Sequence, residues 1–241
     1  MADFVFADDY QLEEGKTRAF YETFLKALVH KNNNLLGVIQ GFSSLVLYND
    51  DISADVREST DQMHEASKSG SDLNKVVLQA GGCSTTSQEM IDLSNLLVFW
   101  KGKCQDICTA SNVSLQFNAE EGLPKVRGDA SQLSDILVCM INNAAESAKN
   151  FPNGTVALDL FPPGKASPGN NVDLFIRNTS ADLEESAIKN YFVPFESSKG
   201  NDHFGLGLTT AAVICGDLGI RLGLRASEGT MTAWLSIPAA G

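Results

Sequence analysis

The sequence predicts an α+β protein in two parts: a helical hairpin, then helices packed on a mainly antiparallel sheet. Three observations carry this. Apolar residues recur at three, four and seven through the first eighty positions, where proline is absent. Short alternating segments bounded by glycine, proline and asparagine follow. Between the two textures lies "AGGCSTTSQ", Ala80–Gln88, which reads as a linker. The domains are therefore expected at 1–80 and 88–241.

The first helix is expected from about Leu12 to Asn49. At about 100° per residue, Tyr21, Phe24, Leu28, Leu35, Ile39, Phe42 and Val46 form one row. "YNDDISAD" stops this helix and starts the next, from about Ala54 to Gln79. There Val56, Met63, Gly70 and Val77 repeat every seven residues, as do Ile52, Ser59, Ala66, Leu73 and Ala80. Two antiparallel helices cover only one face of each other. A second copy would complete a four-helix bundle, so a homodimer is expected.

In the second part, "NVSLQFNA", "GTVALDLF" and "NVDLFIRN" read as strands, and "RLGLRASEGTMTAWLSIPA" as a terminal hairpin turning at Ser227–Gly229. "SQLSDILVCMINNAAESAKN" is helical, with Leu133, Ile136, Met140 and Ala144 on one side. "GLGLTTAAVICGDLG" opens on glycines and continues as a helix.

The chain has 241 residues, 43% hydrophobic, and a net charge of -12. Its size and apolar content allow a real core, and its charge repels phosphate backbones, so no nucleic-acid partner is expected. No apolar run reaches the length of a membrane span, and the acidic N-terminus is unlike a signal peptide. Five cysteines without a close-set framework indicate a reducing compartment. A cytoplasmic protein is expected. Cys104 and Cys108, four apart, read as buried thiols rather than metal ligands.

One of three histidines, His30, lies in "ALVHKNNNLLGVIQGF". It falls about 200° from Leu28 around the helix, and Asn34 about 240°, so both point off the apolar row. An exposed imidazole is a competent nucleophile near neutral pH, and an amide one turn later could orient water or phosphoryl oxygens.

"HKNNNLLGVIQGFSSL" resembles the H-box of bacterial sensor histidine kinases of the H-[DE]-x-N-N-x-L variety. The rest of that core follows in order. "ESTDQMHEASKSGSDLNKVVLQ" is similar to the second helix of its dimerisation and phosphotransfer domain. "IDLSNLL" and "LPKVRGDASQLSDILVCMINNAAESA" resemble the start of its ATP-binding domain and the N-box. "YFVPFESSK" resembles the F-box and "FGLGLTTAAVI" the G2 box. The resemblance spans about residues 20 to 238.

It implies an α/β-sandwich ATPase-like domain after the hairpin, with ATP and Mg as cofactors. It makes His30 the phosphoacceptor, with Asn34 beside it as one of the two H-box amides. Asn143 would be the magnesium ligand, an amide oxygen suited to a hard cation. Gly205, Gly207 and Lys199 would cradle phosphate, and Asn178 would face adenine. Asp129 is expected to cap the N-box helix, and Phe195 to pack rather than touch substrate. The implied partner is the receiver domain of a response regulator.

The chain departs from the family at definite positions. Lys31 stands where an acid usually follows the histidine and accepts its proton. "NTSAD" stands in the G1 box, so the base-binding aspartate is Asn178 and its two glycines are Ser180 and Asp182. Asn178 can still accept from an amino group, without charge assistance. Cys139 takes the first N-box position, and His203 the place of the glycine that opens the G2 box. About twenty residues precede the helical row, too few for a sensor domain. Three functions follow: a kinase phosphorylating His30 from ATP, an ATP-independent phosphotransferase between receivers, and a non-enzymatic receiver-binding scaffold.

Overall fold

The computed structural model describes residues 5–6, 16–83, 87–196 and 204–240. Lys199 and His203 lie outside the described residues. The chain divides into two compact units, Leu12–Ser84 and Met1–Gln11 with Thr85–Gly241.

The first unit is the hairpin, α1 (Lys16–Leu47) and α2 (Ala54–Ala80). Ser53 caps α2, its hydroxyl accepting from the Val56 amide. The Arg57 guanidinium reaches back to the carbonyls of Leu47 and Asn49 and closes the turn. The seam between α1 and α2 mixes apolar residues, with Val29 buried, and polar pairs. Asn32 donates to Asn74 at 2.9 Å, and Asn74 donates to Asn33 at 2.7 Å. Ser43 meets His64 at 3.1 Å. Thr60, Ser67 and Asn74, seven apart, are the buried residues of α2. Gly70 lets Leu36 approach closely: a Cβ there would lie 3.1 Å from the leucine.

The apolar row of α1 faces away from this seam. Tyr21, Phe24, Leu28, Leu35, Ile39, Phe42 and Val46 are all exposed, Leu35 and Phe42 at 67%. Val56 and Met63 of α2 are exposed as well.

The second unit carries a six-stranded sheet in the order β1 (Val5–Phe6), β7 (Arg221–Ser227), β8 (Thr230–Pro238), β6 (Asn171–Thr179), β5 (Thr155–Phe161), β3 (Ser114–Ala119). Only β3 and β5 run parallel; the other pairs are antiparallel, as expected. A small second sheet pairs β2 (Glu89–Ile91) with β4 (Val126–Gly128). The helices are α3 (Leu93–Ala110), α4 (Ala130–Ala148), α5 (Glu185–Asn190) and α6 (Gly207–Asp217). β1 corrects the expected boundary at the start of the chain. Val5 pairs with Leu224, so the first strand belongs to the sheet and not to the hairpin.

Strand alternation divides the sheet into two faces. Val156, Leu158, Leu160, Val172, Leu174, Ile176, Leu235 and Ile237 form one apolar core with Leu133, Ile136, Leu137, Met140 and Ile141 of α4. Trp100, Cys104 and Cys108 of α3 join this core, and the Trp100 indole donates to Ser134. Emptying the Trp100 site would cost about 3–5 kcal/mol. The opposite face is polar and aromatic. Asp173 is fully buried there, accepting from Trp234 at 2.8 Å and Ser167 at 2.6 Å. No helix among the described residues is long and apolar enough to cross a membrane.

Candidate functional site

The hairpin holds one half of the candidate chemistry. His30, Lys31 and Asn34 are exposed on α1, as the helical angles require. The three asparagines that follow the lysine divide their tasks. Asn32 and Asn33 bind the 6%-exposed Asn74 across the seam, so they orient α1 on α2. Asn34 stays on the exposed side with His30, one turn away. Asn74 did not figure in the sequence reading. The seven-residue spacing of Thr60, Ser67 and Asn74 was its signal.

The second unit holds the other half. Asp129 caps α4, its carboxylate accepting from the amides of Ser131 and Gln132 at 3.0 and 3.1 Å. The Ser87 hydroxyl donates to the same group at 2.8 Å. Desolvation pushes this carboxyl up, but the Gln132, Ser87 and Ser131 hydrogen bonds outweigh it and hold the acid below its ordinary range. The expected capping role is therefore observed.

Along α4, Cys139 and Asn143 share a face one turn apart. The Asn143 Nδ2 donates to Cys139 Sγ at 3.7 Å. That sulfur lies under the start of α6, where a Cβ on Gly207 would sit 3.1 Å from it. The first turn of α6 thus meets α4 beside Asn143. Leu206, the N-cap residue, supplies no side-chain hydrogen bond to the first α6 amides. Such an end favours anions through both its N–H groups and its dipole.

Gly205 is required on geometric grounds. Its φ is +65°, and a Cβ would come 2.7 Å from the Phe195 carbonyl carbon. Phe195, also left-handed at φ 64°, donates its amide to the Gly205 carbonyl at 2.9 Å. The buried Thr209 hydroxyl donates to the Phe192 carbonyl at 2.9 Å and ties the first turn of α6 to the end of α5. The Phe195 side chain is 63% exposed, and its backbone serves the turn.

Asn178 stands on the core-facing side of β6, alternating with Val172, Leu174 and Ile176, and is 5% exposed. Its Nδ2 donates to the Thr179 carbonyl at 2.8 Å, and its amide oxygen is the acceptor end of the group. The following segment is fastened to the β7–β8 turn. The Ser180 amide donates to the Gly229 carbonyl at 2.9 Å, and the Gly229 amide donates to Asp182 Oδ1 at 2.7 Å. The structure therefore brings Asn143, Gly205 and Gly207 to one end of α6.

Solved structures share this architecture. A full-length structure of ShkA in complex with AMPPNP superposes with a TM-score of 0.73 at 20% identity, over 90% of this chain and 46% of that one. This is the histidine-kinase core fold. The catalytic domain of the histidine kinase ThkA matches 64% of this chain and 96% of its own, at TM-score 0.54 and 19% identity. The Acinetobacter baumannii histidine kinase AdeS covers 85% of this chain and 95% of its own, at TM-score 0.57 and 14% identity. At these identities the likeness is one of fold. This chain spans about half the length of ShkA. No family model matches the sequence, and no curated protein matches it.

A magnesium ion carried with ATP fits the donor set at one point. Among the described residues no group of three or more His, Cys, Asp or Glu forms a metal cluster. An amide oxygen such as that of Asn143, near a helix N-terminus, is a donor type that suits an ion shared with phosphate oxygens. Burial pushes the Cys104 thiol up to about 12 and Cys108 to about 11. Burial also raises Cys215, with Cys139 a smaller cause. Cys104 and Cys108 are buried in the core, as read from the sequence.

Proposed function

We propose that this chain is a two-component phosphotransferase, a histidine-kinase core that phosphorylates His30 from ATP and passes the group to a response-regulator aspartate. One observation carries the kinase reading: Gly207, at the start of α6 where the N-cap side chain makes no hydrogen bond, meets Cys139 one turn from Asn143. This is a phosphate-binding end with an amide oxygen beside it. Magnesium there would neutralise phosphate charge. The α6 amides, freed for close approach by Gly205 and Gly207, hold the phosphates, with Lys199 as an added cation. Asn178 accepts from the adenine amino group.

A nitrogen of His30 forms a bond to the terminal phosphorus while the bond to the bridging oxygen breaks and ADP leaves with the electron pair. The imidazole proton passes to water, because Lys31 cannot accept it while charged. Asn34 orients the phosphoryl oxygens or water. A receiver carboxylate then attacks phosphorus, and the nitrogen–phosphorus bond breaks. The exposed α1 row supports a homodimer, and a cytoplasmic location agrees with this chemistry.

The second reading is a phosphotransferase between receivers that makes no use of ATP. The fastening of Ser180 and Asp182 to Gly229, where the family has glycines, favours it. Calorimetric titration with Mg-ATP, followed by acid-labile labelling from γ-labelled ATP, separates the two. Binding with label on His30 supports the kinase. Neither, with label accepted from a phosphorylated receiver, supports the second reading.

A further inference from the structure

We propose that Cys139 is a positioning residue that sets the orientation of the Asn143 amide toward the cation; this rests on the kinase reading above. A carboxamide is two-ended, and only its oxygen can bind a hard cation. Which end faces the ligand is decided by what the other end binds. In this chain the Nδ2 end is directed to Cys139 Sγ at 3.7 Å. The sulfur is a weak acceptor, but it cannot donate strongly to the amide oxygen, so it favours one of the two orientations.

The same sulfur also sets how close α6 comes. Gly207 lacks the side chain that would meet it, and a Cβ there would sit only 3.1 Å away. One thiol therefore touches both groups proposed to act on phosphate: the amide that takes the cation and the first residue of α6. Outer partners of a metal ligand typically govern affinity by about 10–100-fold, and a sulfur acceptor belongs at the low end.

Accessibility supplies a test that needs no mutation. Cys104, Cys108 and Cys215 are buried, whereas Cys83 and Cys139 are half-buried. Cys83 belongs to the hairpin unit, so it serves as an internal reference. A nucleotide held at the start of α6 should shield Cys139 and not Cys83.

The experiment uses the full chain. Iodoacetamide labelling of Cys139 and Cys83 is followed by mass spectrometry, with and without magnesium and a non-hydrolysable ATP analogue. In parallel, calorimetry gives nucleotide affinity with magnesium and with EDTA for the native protein, C139A and C139S. We expect slower labelling of Cys139 alone. We expect C139A to lose about tenfold in the magnesium-dependent part of affinity, with the EDTA value unchanged. C139S, whose hydroxyl accepts the same N–H, should restore most of it. Native protein that binds, with C139A showing native magnesium dependence or Cys139 unprotected, overturns the positioning role alone. Native protein that binds no nucleotide overturns the kinase reading and this role with it.

Discussion

The backbone amide of Gly229 donates to the carboxylate of Asp182 at 2.7 Å, while its carbonyl accepts from the amide of Ser180. The segment after β6 is thereby clasped to the β7–β8 turn. Gly229 is left-handed at φ +72° and Glu228 at φ 51°, so the turn itself is rigidly defined.

Opening the clasp should favour nucleotide. Asp182→Gly with Ser180→Gly removes the carboxylate and frees the backbone, and Asn178→Asp adds a charged acceptor. The expected gain in ATP affinity is on the order of 1–3 kcal/mol. Calorimetry on the triple variant checks it. Affinity equal to the native value would show that this segment does not limit binding.

The exposed row of α1 predicts association. Phe24, Leu28, Leu35, Ile39 and Phe42 together expose more apolar surface than a monomer ordinarily leaves in water. Ile39→Asp would place an unpaired charge in the buried contact and split the dimer. Light scattering at micromolar concentration should give twice the chain mass for the native protein and one chain mass for the variant. A native monomer sinks the idea.

Asn74 predicts a stability effect without an apolar loss. Its two bonds to Asn32 and Asn33 are its means of satisfying a buried amide. Asn74→Leu removes both hydrogen bonds, while the exposed Asn32 and Asn33 amides can turn to water, so the cost should be about 0.5–1.5 kcal/mol per bond lost. Urea unfolding of the native protein and variant measures this. The same variant should lower phosphoryl acceptance by His30, because α1 loses the contact that fixes its rotation on α2.

Asp129 predicts an acid limb. Its carboxyl is held below the ordinary range in the folded chain, so its contribution is full above the unfolded value, 3.8. That contribution is lost as pH falls through the folded value. Asp129→Asn keeps most of the cap, whereas Asp129→Ala should cost about 1 kcal/mol at neutral pH. Between roughly pH 7 and pH 3, an interval that includes ordinary carboxylate titration, the melting temperature should fall less steeply for the asparagine variant. Equal slopes would remove Asp129 from the acid limb.

His30→Gln should abolish phosphoryl acceptance from ATP and from receivers while stability changes by within about 0.5 kcal/mol, since the site is exposed. Lys31→Glu sharpens the test. A restored acid should raise labelling from ATP if the protein is a kinase, and leave it at zero otherwise. Label retained by the His30 variant would move the acceptor elsewhere.

Much of this was legible in the residues. The α1 row, the α4 periodicity and the turn at Ser227–Gly229 are local patterns, and each fell where expected. β2 and β4 are three residues each, too short for alternation to register. The hairpin seam escaped because its spacing of seven is carried by Thr60, Ser67 and Asn74, which a search for apolar repeats passes over. The Ser180–Gly229 clasp is a backbone pairing between distant segments, and no residue type announces it. Cys139 and Asn143 are visibly one turn apart, but only the packing of α6 on α4 brings Gly207 to them.

The pairing of Val5 with Leu224 has a kinetic meaning. The outermost strand of the sheet emerges from the ribosome long before the neighbour it pairs with. The hairpin and most of the second unit must emerge while Val5 and Phe6 have no sheet to join. Among the pairings of the described strands this one closes the longest loop and carries the largest closure entropy. Strand β1 should therefore dock after the rest of the sheet has formed, and its amides should be the first of that sheet to exchange with solvent.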